Sequence, residues 1–286
     1  PAPAATDVPF PPWIGSTSVD RSATIPRPVA VIELLDEGFR ILRTQYRTLG
    51  PIVAAIATPL AVLSALASRQ AFPGKGTSTA FGVSTLGASG GQGGWVPVLV
   101  AIALLWPALI AGPVCRVTAA SWFGRVENRR SAWRQGMRRV PGQLVAVVAV
   151  DVMIAVGALF LFLPAIAVWV LFRLTLPAMI VEGIGPFRAI GRSATLVGRR
   201  FWVVLGLSTL ALLVGQIVSR LLSLVPTAVG AAFGLHWAYL LLAAASIAVE
   251  TVTWSWSLIV ITLIYLDTRS RREGLDLVVR AGTVSW

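Results

Sequence analysis

A chain of 286 residues with 56% hydrophobic and only 13% charged residues has too little polar surface to coat a water-soluble globule, which runs at roughly 45–50% apolar and about 25% charged. Its mean hydropathy is +0.79, and several apolar runs reach the roughly 20 residues that cross a bilayer. The net charge of +12 would suit nucleic acid, but the arginines sit at the ends of apolar runs rather than on one soluble face, so anionic lipid is the expected partner and nucleic acid is not.

In chain order, residues 1–27 are rich in Pro, Ala and Ser and read as a disordered cytoplasmic tail. They contain no apolar core of a cleavable leader, so the first span is expected to act as the insertion signal. From Pro28 to Thr48 the apolar residues Val31, Ile32, Leu35, Phe39, Leu42 and Tyr46 recur at helical spacing opposite charged ones. That pattern predicts an amphipathic helix lying in the membrane interface.

Six spans are expected after it, at about 49–68, 95–123, 142–162, 164–182, 201–224 and 237–266. A flexible Gly/Ser/Thr loop covers 71–94, and Pro164 is placed in a tight turn between the third and fourth spans. Pro107 and Pro113 in the second span are the candidates for a broken helix. A short tail, 278–286, closes the chain. The membrane domain is then 28–277: an all-α protein of six transmembrane helices in three hairpins, with basic amphipathic helices on the cytoplasmic side.

Orientation follows from where the arginines fall. Segments 1–48, 124–141, 183–200 and 267–286 hold nearly all of them, whereas the opposite loops hold Lys75, with Arg69 and Arg220 near the outer helix ends. Both termini are therefore expected in the cytoplasm of a bacterium, with the chain multi-pass in its plasma membrane. Trp95 and Trp237 then fall at the outer boundary and Trp122 and Trp202 at the inner one, as in an aromatic belt. Phe39-Arg40, Trp133-Arg134 and Phe187-Arg188 each open a short basic segment before a predicted hairpin, with Arg43, Arg138 and Arg192 about one turn further on. These positions suggest a weak threefold repeat.

Two segments resemble a known family. Gly185-Pro186-Phe187-Arg188-Ala189-Ile190-Gly191-Arg192-Ser193 through Arg199-Arg200-Phe201-Trp202 looks like the segment before that family's fifth span. Tyr265-Leu266-Asp267-Thr268-Arg269-Ser270-Arg271-Arg272-Glu273-Gly274-Leu275-Asp276-Leu277 is similar to its C-terminal motif, and Glu33 to Arg40 to its opening helix. The family is the glycerophosphoryl diester phosphodiesterase membrane-domain family, and the resemblance covers roughly 28–277. It implies fold and location. His236 is the sole histidine, so the paired histidines and metal-binding carboxylates of the soluble hydrolase fused to some members cannot be assembled from these residues.

Charges inside spans are functional candidates by default. Here they are Asp151, Arg173, Glu250 and Arg116, expected to form an intramembrane polar site. Asp151 and Arg173 flank Pro164 at depths differing by only about 6 Å in an antiparallel hairpin, so they are expected to pair. Glu250 is expected to find Arg116, Arg173, Gln216 or a transported cation or proton. Arg40, Arg43, Arg134, Arg138, Arg188, Arg192, Arg269 and Arg271 are the candidates for contact with lipid head groups or a partner protein. No Ser-His-Asp set, phosphate loop or zinc ligand set is present, and Cys115 is the lone cysteine. No enzyme activity, metal or cofactor is expected. The expected function is a scaffold or accessory subunit of a plasma-membrane complex, with a membrane-protein partner or a second copy. A transporter or lipid-handling protein using Asp151, Arg173 and Glu250 is the alternative.

Overall fold

The computed structural model describes residues 31–71, 96–125, 127–160, 162–198, 200–233 and 238–273, without the side chains of 31–32, 60–61, 63–71, 96–100, 102–103, 162–163, 223, 225–227, 229–233, 238–246, 250 and 272–273. The tails 1–27 and 278–286, the loop 72–94, Trp95, His236, Trp237 and the side chain of Glu250 lie outside the described residues.

Every described element is an α-helix: α1 Val31–Ala71, α2 Val96–Trp122, α3 Arg129–Arg138, α4 Val140–Phe160, α5 Phe162–Phe172, α6 Thr175–Glu182, α7 Pro186–Gly198, α8 Phe201–Phe233 and α9 Ala238–Glu273. Five stretches are long and apolar enough to cross a membrane: Leu104–Trp122, Val140–Phe160, Pro164–Glu182, Phe201–Leu222 and Ile247–Arg271. They correspond to the second to sixth expected spans. The first expected span continues α1 and is not among the five; most of its side chains after Pro59 lie outside the described residues.

A helix that is apolar all round belongs at the centre of a bundle. In α2 every residue from Ile110 to Ala120 is buried, and in α9 every residue from Leu258 to Ser270. Around this pair the other helices pack: α1 against both, α8 along α9, and α4 along α5. The outer helices α4 and α8 keep broad apolar faces exposed, including Val148, Val152, Val156 and Leu159 on one and Leu210, Leu213, Ile217 and Leu221 on the other. Hydrocarbon covers such faces at no cost, where water would not.

The expected interfacial helix 28–48 does not lie apart from the bundle. It is the first half of the 41-residue α1, and the face it buries on protein is Leu34, Ile41 and Leu42, whereas Phe39 and Tyr46 of the expected stripe are exposed. Gly38 permits the approach, since a methyl group there would meet Val260 Cγ2 of α9 at 3.1 Å. Phe39 stacks at 5.2 Å on Trp256. A second close approach joins α3 to α2. A methyl group at Gly136 would sit 2.6 Å from Pro113 Cδ, and one at Gly112 would sit 2.7 Å from the Gly136 Cα. Small residues at both positions let the two backbones touch. The three aromatic–arginine pairs of the repeat thus lie on α1, α3 and α7, and Phe39, Trp133 and Phe187 are all exposed.

Helix breaks differ from expectation. The α4–α5 turn precedes Pro164, which lies within the first turn of α5, where a missing N–H costs least. Pro107 and Pro113 are passed inside a continuous α2. The break comes instead in the fourth span, at Arg173–Leu174 between α5 and α6. Pro177 explains it, because its ring nitrogen cannot donate to the Arg173 carbonyl four residues back. The freed end of α5 is satisfied from outside the helix: the buried Ser193 hydroxyl of α7 donates to the Leu171 carbonyl at 2.6 Å.

Candidate functional site

The four intramembrane charges do not assemble into one site. The α4–α5/α6 register is set by Gly157 against Ala165 and Gly142 against Met179. Counted from these contacts, Arg173 falls opposite Val148–Ala149, within a turn of Asp151. Helical phase defeats the pair. The buried stripe of α4 contains Gln143, Ala146, Val147 and Gly157, while Asp151 is exposed with Val148, Val152 and Val156. Arg173 is half-buried with its guanidinium carbon 4.9 Å over the Trp169 ring, and its Nε is buried without a hydrogen-bond partner among the described residues. Arg116 turns to Glu127 in the segment after α2, at 3.3 Å, and Ser131 Oγ donates to the same carboxylate at 2.7 Å. Glu250 lies on α9 with its side chain outside the described residues.

What the fold does assemble is a polar network at the end of the bundle where α6, α7, α8 and α9 meet. Glu182 closes α6 just before Gly183, whose φ of 72° ends the helix in the left-handed conformation that suits glycine. The Glu182 carboxylate is 8% exposed and draws in three partners. Arg192 Nε of α7 donates to both its oxygens, at 2.9 and 3.2 Å. The Tyr265 hydroxyl of α9 donates at 2.6 Å, and Arg269 Nε of α9 lies 3.8 Å away. Two residues of α9 beyond Tyr265, Asp267 is 7% exposed and takes Arg271 Nε on both oxygens at 2.9 Å. Arg200, in the turn before α8, reaches the same carboxylate at 3.3 Å. Alongside, Arg139 Nη1 donates to the Met179 carbonyl of α6 at 3.2 Å.

Burying charge is tolerable when each member is paired and hydrogen-bonded, and removing one partner is then costly. The network holds α6, α7 and α9 together through Glu182. Sequence reading did not single out Glu182, Glu127 or Arg200, although a signal existed. Arg192, Arg200, Tyr265, Asp267, Arg269 and Arg271 all belong to the two motif segments. The segments answer each other through Glu182 and through Asp267.

This redistributes the arginines expected at lipid head groups. Arg269 is 4% exposed and engaged by Glu182, so it cannot reach lipid. Arg192 and Arg271 are likewise held by carboxylates. Arg40 is exposed and pairs one turn back with Glu37 at 2.6 Å; that hydrogen bond and the carboxylate charge raise its pKa further above the ordinary arginine value. Arg43, Arg134, Arg138 and Arg188 are exposed and form no ion pair among the described residues. Trp202, expected at the inner boundary, is 78% exposed. No group of His, Cys, Asp and Glu suited to a metal ion is found among the described residues. No family model, curated protein or solved structure matches the chain.

Proposed function

We propose that the chain is a non-catalytic polytopic protein of the bacterial plasma membrane, with six spans in three hairpins and both termini cytoplasmic. In this reading it serves as a scaffold or accessory subunit, and its basic end rests on anionic lipid. The resemblance to the glycerophosphoryl diester phosphodiesterase membrane-domain family supports the same fold and location.

The observation that carries the scaffold reading is the position of Asp151. It lies halfway along α4, the least buried of the five membrane-length stretches, on that helix's exposed apolar face. An aspartate at the centre of a span costs about 2.5–3.5 kcal/mol, and none of the described residues offers it a charged partner. A neighbouring transmembrane helix with a basic or amide side chain at the same depth supplies the donor. The break at Arg173–Leu174 favours the transporter alternative, since carriers use interrupted helices at mid-span. The outward direction of Asp151 supports the scaffold reading over that alternative.

A photo-crosslinking side chain at Val152, introduced in cells, is expected to capture one discrete polypeptide, with the yield falling in an Asp151→Leu background. Adducts with lipid alone, unchanged by Asp151→Leu, would overturn the scaffold reading. For orientation, a reporter active only in the cytoplasm should give signal when fused after residue 286 and none when placed within 71–94. Signal from the second fusion contradicts the proposed topology.

A further inference from the structure

We propose that an open cleft between α1 and the start of α3 binds a phosphate-bearing anion. The cleft measures about 450 Å³ and is lined by Arg47, Thr48, Asn128, Arg129 and Arg130. Three arginines therefore line one concavity, and no carboxylate is among its described lining residues. The adjacent Glu127 is engaged by Arg116 and Ser131, so it does not neutralise them. Arg47, Arg129 and Arg130 form no ion pair among the described residues, unlike Arg192, Arg200 and Arg271 in the network nearby.

Like charges converging without a counter-ion repel one another, and the arrangement is relieved when a polyvalent anion sits among them. Guanidiniums match phosphate oxygens through paired N–H donors. The remaining lining adds donors of the same kind. Asn128 caps α3, its side-chain oxygen accepting from the Arg130 backbone N–H at 3.1 Å, which leaves its amide NH₂ to donate. The first turn of α3 contains no acidic residue, so its N-terminal dipole adds positive potential at the same point. Thr48 contributes a hydroxyl.

The location sets the ligand class. Arg47 stands two residues before Leu49, where the first span of the proposed topology begins, and so at head-group depth in that topology. A volume of this size and three charges suit one phosphate group with a small substituent rather than a nucleic-acid strand. The group belongs either to a phospholipid head group or to a free phosphate. The inference deepens the proposed contact of this end with anionic lipid and assigns it a defined pocket.

The full chain, purified in zwitterionic detergent, is titrated by calorimetry with inorganic phosphate and separately with a short-chain phosphatidic acid. Saturable binding of at least one is expected. It should fall about tenfold in Arg129→Gln, as expected for loss of one charge-assisted contact, and vanish in the triple variant Arg47→Gln, Arg129→Gln, Arg130→Gln. Arg43→Gln, outside the cleft, should bind as the parent does. Binding of the lipid alone assigns a head-group site, and phosphate binding as tight as lipid assigns a soluble anion. Should the triple variant not fold, Arg47→Gln and Arg129→Gln measured singly decide the matter. Binding of neither probe, or binding unchanged in these variants, overturns the proposal. Failure of the wider lipid contact looks different: nanodiscs with and without phosphatidylglycerol would stabilise the chain equally while phosphate still bound in detergent.

Discussion

Glu182 and Asp151 are both carboxylates on membrane-length stretches, one on each arm of the α4–α5/α6 pair, and their surroundings are opposite. Glu182 ends its helix and gathers Arg192, Tyr265 and Arg269 into a buried cluster. Asp151 lies mid-helix and faces away from the bundle. The difference teaches where this fold tolerates charge. At the end of α6, long side chains from two neighbouring helices converge on one carboxylate. Among the described mid-span residues the fold turns a charge outward (Asp151) or lays it over an aromatic face (Arg173).

If that contrast is right, the largest effect belongs to Glu182→Ala. The change takes from Arg192 and Arg269 the buried carboxylate they share, a loss of about 3–5 kcal/mol where burial is complete. Reversible unfolding in mixed micelles measures it, and an unfolding midpoint equal to the parent's would remove the network from any structural role. Next comes Tyr265→Phe. Its hydroxyl donates to an ionised carboxylate, so its removal should cost about 1.5–3 kcal/mol in the same assay. A loss near zero would mean that Glu182 is satisfied by its arginines alone. Asp267→Asn should cost less, about 1 kcal/mol, because the side chains of Arg200 and Arg271 are 27% and 34% exposed and solvent screens what they gain.

The ranking also marks what sequence could reveal. The all-helical character and the rough extent of the long apolar runs were legible because such runs leave few alternatives, and five of the six expected spans correspond to membrane-length stretches. The fusion of the first amphipathic segment with its span was not legible, since residues 48–50 contain no stop strong enough to separate a helix lying in the interface from one packing on α9. The break at Arg173–Leu174 was foreshadowed by Pro177, yet Pro107 and Pro113 offered the same signal and produced no break. Whether a proline interrupts a buried helix depends on what can satisfy the freed carbonyl. Here the Ser193 hydroxyl, distant in sequence, takes up the Leu171 carbonyl in the last turn of α5. Charge pairing failed for a related reason. Depth along a span follows from counting residues, but pairing also needs phase, and about 100° of rotation per residue separates a side chain that faces its neighbour from one that faces lipid.

The smallest expected effect tests that point most directly. Asp151 and Arg173 share a depth, and a pair at that depth would show coupling, because removing either partner would strand the other in a medium of low dielectric. In the fold they face different surroundings, Asp151 the outer surface of α4 and Arg173 the Trp169 ring. Asp151→Asn should therefore change the stability of the isolated chain by no more than about 0.5 kcal/mol, in the range of exposed substitutions. Arg173→Leu should lose its contact with Trp169, about 0.5–2 kcal/mol. The double variant should equal the sum of the two within about 0.3–0.5 kcal/mol, the additivity found for residues that do not touch. A coupling of 1 kcal/mol or more would show the two side chains in contact in the membrane. It would also return Asp151 to the interior and with it the cavity that the transporter alternative needs.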